Sequence, residues 1–253
     1  MTGTRNGHLG LPGDIAAALF DLDGVLTETA TLHAAAWKEM FDEFLRGQAE
    51  ERGEPFVAFS IPADYEQYVD GKPRADGIRS FLASRGIELP EGQPDDPSSA
   101  QTVHGLGARK NDLFQRVVRE RGVEPFEGAR RYVEAARDAG LRRAVVSSSE
   151  NARLLLEAAG LAPLFELVVD GKAAAREHLR GKPAPDTFLA AARGLGIPPK
   201  RAAVFEDAIA GVEAGRAGKF GCVVGIGQGA HADALRREGA DVVVEDLADL
   251  IER

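Results

Sequence analysis

The chain has 253 residues, of which 44% are hydrophobic, and carries a net charge of −9 at neutral pH. This length supports a sizeable core in one large or two smaller domains. The negative charge argues against a nucleic-acid partner, which needs a basic face, and the sequence has no apolar run near the ~20 residues of a membrane span.

The N-terminal segment MTGTRNGHLGLPGD contains no apolar stretch typical of a secretory signal. We therefore expect a cytoplasmic protein without a membrane partner, and we expect residues 1–13 to be disordered. The first predicted element follows directly. The run IAAALF, from Ile15, is apolar enough for a buried strand, and the acids of FDLDGVLTET come next.

The following segment, residues 29–118, has helical patterns and no run of the strand type. Its predicted helices contain TLHAAAWKEMFDEFL, PADYEQYV, ADGIRSFLASRG and ARKNDLFQRVVRERG, and the turn-rich stretch LPEGQPDDPSS predicts a mobile loop. The simplest interpretation is a helical domain inserted after the first strand.

The rest of the chain alternates short apolar runs with helical patterns that end in glycine. The apolar runs are RRAVVSS, ELVVDG, RAAVFED, CVVGIG and DVVVED. Near-continuous apolar runs are typical of strands buried on both faces of a parallel sheet, and their alternation with helices favours right-handed βαβ units. We therefore predict an α/β fold: a doubly wound, Rossmann-like parallel sheet formed by residues 14–28 and 119–253, with an inserted α-helical cap.

Polar side chains follow four of these predicted strands, at their ends or in the loops beyond. They are Asp21 and Asp23, then Ser147 to Ser149, then Lys182 in GKPAPD, then Glu206 and Asp207. Ligands of open α/β sheets bind beyond the carboxyl ends of the strands, so we expect these groups to meet in one crevice. Each cluster alone is also typical of a turn, a helix cap or an ordinary loop.

Such a set suits phosphoryl transfer. Carboxylates that lie together repel one another unless a cation joins them, and hard oxygen ligands favour Mg²⁺. Lysine and serine are partners for phosphate oxygens. A carboxylate nucleophile near a metal can form an aspartyl phosphate, and a second acid two residues on can move the proton. Gly24 lets the chain turn sharply so that both acids face one ligand.

The order of FDLDGVLTET, AVVSSSEN, GKPAPD and AVFEDAIAGVEAG resembles the haloacid dehalogenase superfamily of phosphotransferases. The resemblance implies that Asp21 is the nucleophile and Asp23 the general acid and base. It further implies that Ser147 and Lys182 bind the transferring phosphoryl group. The implied Mg²⁺ ligands are Asp21, the main-chain carbonyl of Asp23, Glu206 and Asp207.

The sequence resembles the β-phosphoglucomutase branch of that superfamily in particular. The segments that carry this resemblance are DGVLTETATLHAAAWKEM, VDGKPRADGIRSFL, GARKNDLFQ and SSSEN. The implied substrate-binding residues are His33, Trp37, Arg74, Lys110, Ser148 and Asn151, with Arg74 on the distal phosphate. The chain departs from the branch at Asp70, where a lysine is usual, and in a longer cap around Gln48–Phe59 and Pro90–Ser99.

The leading hypothesis is therefore a monomeric, Mg²⁺-dependent mutase that interconverts β-glucose 1-phosphate and glucose 6-phosphate through a phosphorylated Asp21. A sugar-phosphate phosphatase would use the same core residues, and it differs in whether a closed cap excludes water. A receiver-like phosphoacceptor module would be about half this length. A haloacid dehalogenase proper would leave Asp23 without a role.

Overall fold

The computed structural model describes residues 7–251. Contacts between Cα atoms divide the chain into two compact units. The sheet unit combines the residues before Thr29 with those after Gly122, and the helical unit spans Thr29–Gly122. The segment that we predicted as the cap ends at 118, within the last helix of the helical unit, which continues to Arg121.

Within the described residues, six strands form one sheet in which every neighbouring pair is parallel. They are β1 (Ala17–Phe20), β2 (Arg142–Val146), β3 (Leu167–Val169), β4 (Ala202–Glu206), β5 (Cys222–Ile226) and β6 (Val242–Val244). The strand order is β3-β2-β1-β4-β5-β6. The predicted doubly wound α/β fold is confirmed, and its strand order reverses between β1 and β4, which is where ligands bind in such sheets.

Strand β1 lies at the centre of the sheet, and all four of its residues are buried. Phe20 is level with Val145 of β2 and with Phe205 of β4, and its ring stacks on that of Phe205 with centroids 4.5 Å apart. This register brings the carboxyl ends of three strands to the same height. Whatever follows Phe20 therefore lies beside the last residues of β2 and β4.

Six helices connect and cover the strands of the sheet unit, among the described residues. They are α4 (Glu127–Asp138), α5 (Ala152–Ala158), α6 (Gly171–Arg176), α7 (Asp186–Gly194), α8 (Ile209–Ala217) and α9 (Gly229–Glu238). Helices α4, α5 and α8 coincide with the predicted stretches GARRYVEAARDAG, ENARLLLEAAG and AIAGVEAGRAG. Alanine, valine and leucine on their buried faces pack against the sheet, and the spacing of these apolar residues is what predicted the helices.

The N-terminal segment differs in part from its prediction. Residues 1–6, which lie in the stretch expected to be disordered, fall outside the described residues. Beyond them, Gly7–Leu9 forms a short 3₁₀ helix, Leu9 and Leu11 are buried, and the Tyr132 hydroxyl donates to the Leu9 carbonyl at 2.9 Å. The expectation of disorder is therefore wrong for this part, because two leucines bury their side chains in the sheet unit.

The helical unit contains three long helices and a short π-helical turn. They are α1 (Thr29–Arg52), the turn (Tyr65–Val69), α2 (Arg74–Ser84) and α3 (Val103–Arg121). Helix α3 begins earlier than ARKNDLFQ suggests, because the Thr102 hydroxyl caps it by accepting from the Gly105 N–H at 2.9 Å. No helix within residues 7–251 has both the length and the hydropathy to cross a membrane.

Aromatic rings form the centre of the helical unit. Phe41 packs against Phe81 with centroids 4.2 Å apart and against Phe59 at 5.1 Å, and Trp37 stacks on Phe41 at 5.4 Å. Phe59 comes from the segment after α1, which is part of the cap extension noted in the sequence. This extension is therefore part of the core of the helical unit.

The buried carboxylate of Asp42 holds this extension in place. Its Oδ1 accepts from the Phe59 N–H at 2.8 Å, and its Oδ2 accepts from Lys38 Nζ at 2.8 Å. The same ammonium donates to the Phe59 carbonyl at 2.9 Å. Both main-chain groups of Phe59 are thus bound to side chains of α1, and its ring is fully buried.

We expect Asp42→Ala to destabilise the helical unit by about 1–3 kcal/mol, because it leaves the buried Phe59 N–H without its acceptor. Urea unfolding followed by fluorescence measures this, since Trp37 is the single tryptophan of the chain and lies in the same core.

The matched control is Glu39→Ala, one turn away on α1, where an exposed carboxylate pairs with exposed Arg116 at 2.8 Å. We expect a loss of roughly 0.5 kcal/mol or less in that variant. Equal losses in the two variants would contradict the role assigned to Asp42.

Candidate active site

The two acids of DLDG lie directly beyond the central strand. Asp21 extends the ladder by donating its N–H to the Phe205 carbonyl at 2.9 Å, and its carboxylate is buried. Its Oδ2 accepts from the Asp23 N–H at 2.9 Å, so the turn after β1 closes on the first carboxylate. Asp23 is half-buried beside it. The sheet thus presents both acids at its carboxyl edge, as predicted.

Gly24 is required for two separate reasons. Its φ of +88° lies in the region that glycine adopts readily and other residues rarely do. A Cβ at this position would also lie 1.9 Å from Oδ2 of Asp207. The sequence indicated only the first reason, and the second shows that the turn after β1 and the end of β4 share a packed interior.

Lys182 is buried and joins two of the acids. Its ammonium contacts the carboxylates of Asp21 and Glu206, and it donates to the Val146 carbonyl at 3.3 Å. The ammonium also lies 5.1 Å from the centre of the Phe188 ring, a cation–π contact. Four contacts therefore position the ammonium of the predicted loop lysine at the ends of β1, β2 and β4.

Burial and surplus negative charge set the protonation of this cluster. Burial raises the pKa of Asp21 above its ordinary value, and the nearby Lys182 ammonium only partly opposes this. Burial likewise raises the pKa of Glu206 to about 8, again against the effect of Lys182. Burial alone would lower the pKa of Lys182, but the two carboxylates outweigh it and raise that pKa. Two carboxylates sharing one ammonium favour an additional positive charge.

A third carboxylate completes a possible metal site. Asp21, Glu206 and Asp207 each offer an oxygen, and these oxygens all lie within 4.8 Å of one another. Opposite ligands of Mg²⁺ are about 4.2 Å apart, given metal–oxygen distances of about 2.1 Å. The three acids therefore fit a single small cation after adjustments of a few tenths of an ångström.

A second glycine makes room for this donor set. A Cβ at Gly211, in α8, would lie 1.9 Å from the Glu206 carboxylate, which is fully buried. No sequence pattern singled out Gly211 in advance. Only its spacing of five residues from Glu206, within the quoted stretch AVFEDAIAGVEAG, could have suggested this role.

The serines after β2 lie at the same edge. Ser147 donates its N–H to the Val169 carbonyl at 3.0 Å, and its hydroxyl lies 3.4 Å from Oδ2 of Asp23. That hydroxyl also accepts from the Ser149 N–H at 3.0 Å, which fixes its position. Ser148 and Asn151 are half-buried in the next turn. Their part in phosphate binding stays a prediction.

The predicted residues of the helical unit fall into two groups. In the first, Lys110 is buried, approaches His33 Nδ1 at 2.5 Å, and lies 5.1 and 4.8 Å from the ring centres of Trp37 and Phe114. The His33 ring in turn stacks on Phe114 with centroids 3.8 Å apart. His33, Trp37 and Lys110 are thus neighbours within one unit, and Trp37 belongs to its aromatic core.

The second group surrounds Arg74 at the start of α2. Its Nη2 donates to Oδ1 of Asn111 at 3.3 Å. Lys72 donates to the Gln67 carbonyl at 3.3 Å and to the Ser80 hydroxyl at 3.1 Å. These partners of Lys72 all belong to the helical unit. Asp70 stands at the position where the branch usually has a lysine.

One residue near the acids was missed altogether. His231, in α9, donates from Nε2 to the main-chain carbonyl of Asp207 at 2.6 Å. No local pattern around AHADAL indicated such a contact, because it joins α9 to a loop more than twenty residues earlier.

Comparisons with known proteins agree with this geometry. A model of the haloacid dehalogenase-like hydrolases matches residues 15–219. A β-phosphoglucomutase from Mycobacterium bovis is 58% identical over 250 residues, which covers 98% of this chain and 95% of the relative, and one from Mycobacterium tuberculosis gives the same figures. A β-phosphoglucomutase from Bacillus subtilis is 32% identical over 92% of this chain and 91% of its own.

A solved structure supports the fold. The crystal structure of a β-phosphoglucomutase from Clostridium difficile matches with a TM-score of 0.71 and 23% identity over 93% of each chain. The same family is indicated by three observations: the order of acids, serine and lysine at the sheet edge, the family match, and the relatives that align over nearly their whole length. The chain belongs to the haloacid dehalogenase-like hydrolases, within their β-phosphoglucomutase-like branch.

Proposed function

We propose that this protein is a Mg²⁺-dependent β-phosphoglucomutase, which interconverts β-glucose 1-phosphate and glucose 6-phosphate. The observation that carries the proposal is the 58% identity to proteins of that name over nearly the whole length of both chains. The cluster of buried Asp21, Lys182 and Glu206 with half-buried Asp23 and Asp207 supports phosphoryl transfer as the reaction. We also propose a monomer that acts in the cytoplasm on a phosphorylated sugar.

Asp21 is the proposed nucleophile. Its carboxylate attacks phosphorus, the bond from phosphorus to the departing oxygen breaks, and an aspartyl phosphate forms. Its Oδ2 already accepts from the Asp23 N–H, and Lys182 contacts its other oxygen, so both oxygens have fixed directions. This geometry limits the motion of the attacking group.

Asp23 is the proposed acid and base. It gives a proton to the departing sugar oxygen, and in the second half-reaction it takes one from the sugar hydroxyl that attacks the aspartyl phosphate. The Ser147 hydroxyl, 3.4 Å from the Asp23 carboxylate, and the Lys182 ammonium are the proposed partners of the phosphoryl oxygens. Mg²⁺, held by Asp21, Glu206 and Asp207, would neutralise the charge of the phosphoryl group.

A sugar-phosphate phosphatase is the competing function, because water can attack the same aspartyl phosphate. The purified protein is mixed with Mg²⁺, β-glucose 1-phosphate and a trace of the 1,6-bisphosphate, and glucose 6-phosphate and free phosphate are measured together. Rapid formation of glucose 6-phosphate with little free phosphate supports the mutase. Release of one phosphate for each substrate molecule consumed would contradict the mutase and identify the protein as a phosphatase.

Asp21→Asn should lower the turnover rate by a factor of at least about 10⁴, because an amide is not a nucleophile toward phosphorus. Coupled assay of glucose 6-phosphate measures the rate, and circular dichroism checks the fold. Asp138→Asn, at an exposed position on α4, is the control and should match wild type. Wild-type turnover in Asp21→Asn would remove Asp21 from the reaction.

Arg74→Ala should raise KM for the sugar phosphate by roughly 10- to 100-fold, because a hydrogen-bonded charge pair with the distal phosphate is lost. Phosphorylation of Asp21 by acetyl phosphate, which has no distal phosphate, should change much less. Arg79→Ala, on the same helix but paired with exposed Asp76 and Glu91, serves as control. Equal losses with both phosphoryl donors would contradict the assignment of Arg74.

The metal-free protein should lose stability as pH rises. Glu206 has an ordinary pKa of 4.5 and a folded pKa of about 8, so the native state binds its proton more tightly than the unfolded state does. Its contribution to stability is therefore present below pH 4.5 and is lost as pH rises through about 8. Thermal unfolding in EDTA across this range measures the slope.

Glu206→Gln should reduce that slope, because one of the two carboxylates with a raised pKa is gone, and added Mg²⁺ should reduce it in the wild type. Glu157→Gln, at an exposed position on α5, should keep the wild-type slope. Identical slopes in Glu206→Gln and the wild type would show that another group titrates.

A further inference from the structure

The peptide unit between Asp207 and Ala208 is bound at both ends. Its N–H, from Ala208, donates to Oε2 of Glu206 at 3.1 Å. Its carbonyl, from Asp207, accepts from Nε2 of His231 at 2.6 Å. A carbonyl only accepts hydrogen bonds, so Nε2 of His231 carries the proton in this contact.

This peptide belongs to the short stretch of main chain that carries the Asp207 carboxylate. Strand β4 ends at Glu206 and α8 begins at Ile209, so only two residues connect them. A change in the main-chain torsions of Asp207 within this connection would tilt its Cα–Cβ bond and move the carboxylate that the bond carries. Hydrogen bonds at both ends of the peptide oppose it, and the imidazole supplies one of them.

His231 stands on a rigid support. Leu235, one turn further along α9, is fully buried against Val212 of α8 and Val223 of β5. Gly227 leaves room for the imidazole, because a Cβ there would lie 2.8 Å from Cδ2 of the ring. The ring is half-buried, and its position relative to Asp207 is therefore set by the packing of α9.

We propose that His231 is a positioning residue for the metal site, which acts by holding the Asp207 main chain so that its carboxylate faces the cation shared with Asp21 and Glu206. The inference rests on the proposed function only in so far as a divalent cation binds these acids. His231 lies beyond residues 15–219, which the family model matches, so it is a feature of this chain outside that match.

The experiment measures binding of Mn²⁺, a paramagnetic substitute for Mg²⁺, to the full-length protein by electron paramagnetic resonance. His231→Ala should raise the Kd for Mn²⁺ by about tenfold or more, which is the usual effect of losing a group that orients a metal ligand. His231→Gln keeps an N–H donor and should recover at least half of that loss on a logarithmic scale. His178→Asn, at an exposed position of the same unit, is the control and should bind as wild type does.

Thermal unfolding in EDTA accompanies each variant, so that a folding defect is seen separately from a binding defect. A His231→Ala variant that binds Mn²⁺ within twofold of wild type would overturn the proposal, and so would a His231→Gln variant as weak as His231→Ala. A wild-type protein that binds Mn²⁺ but forms no glucose 6-phosphate would overturn the mutase, while the ratio of Kd values would still decide the role of His231.

Discussion

The contact of one buried ammonium with two buried carboxylates governs this site. Lys182 touches both Asp21 and Glu206 where almost no solvent reaches, and Asp207 adds a further negative charge within coordination distance. Removing carboxylates from water is costly unless each is compensated. The surplus of negative charge is the physical reason for expecting a cation here, and a cation together with Lys182 can then accept a dianionic phosphoryl group.

Two glycines leave the space that the carboxylates of Asp207 and Glu206 occupy. Gly24 and Gly211 belong to different parts of the fold, yet each occupies a position where a Cβ would overlap an acid of the cluster. The carboxylates therefore lie against main chain, which cannot move aside as a side chain can. This close packing limits how far the carboxylates of Glu206 and Asp207 can move.

Most of the fold could be predicted from local patterns, because buried strands require apolar runs such as AALF and AAVFE. The placement of Asp21, Lys182 and Asp207 followed from the rule that ligands bind beyond strand ends. Other features depend on contacts between distant parts of the chain: burial of Leu9, insertion of Phe59 beneath α1, and the bond from His231 to Asp207. A short sequence window cannot reveal a partner that lies outside it, and the extent of α3 depended on a single capping hydroxyl.

The central position of β1 also bears on how the chain assembles. Both of its neighbours come much later in the sequence, and Asp21 and Lys182 are separated by 161 positions. During synthesis from the N-terminus, the first strand is made before any strand that can pair with it, while the helical unit is completed from one continuous stretch. Domains generally fold as units, so the inserted helices can reach their native packing before β2 and β4 have been synthesised. Until then the apolar strand Ala17–Phe20 is unpaired and prone to aggregation.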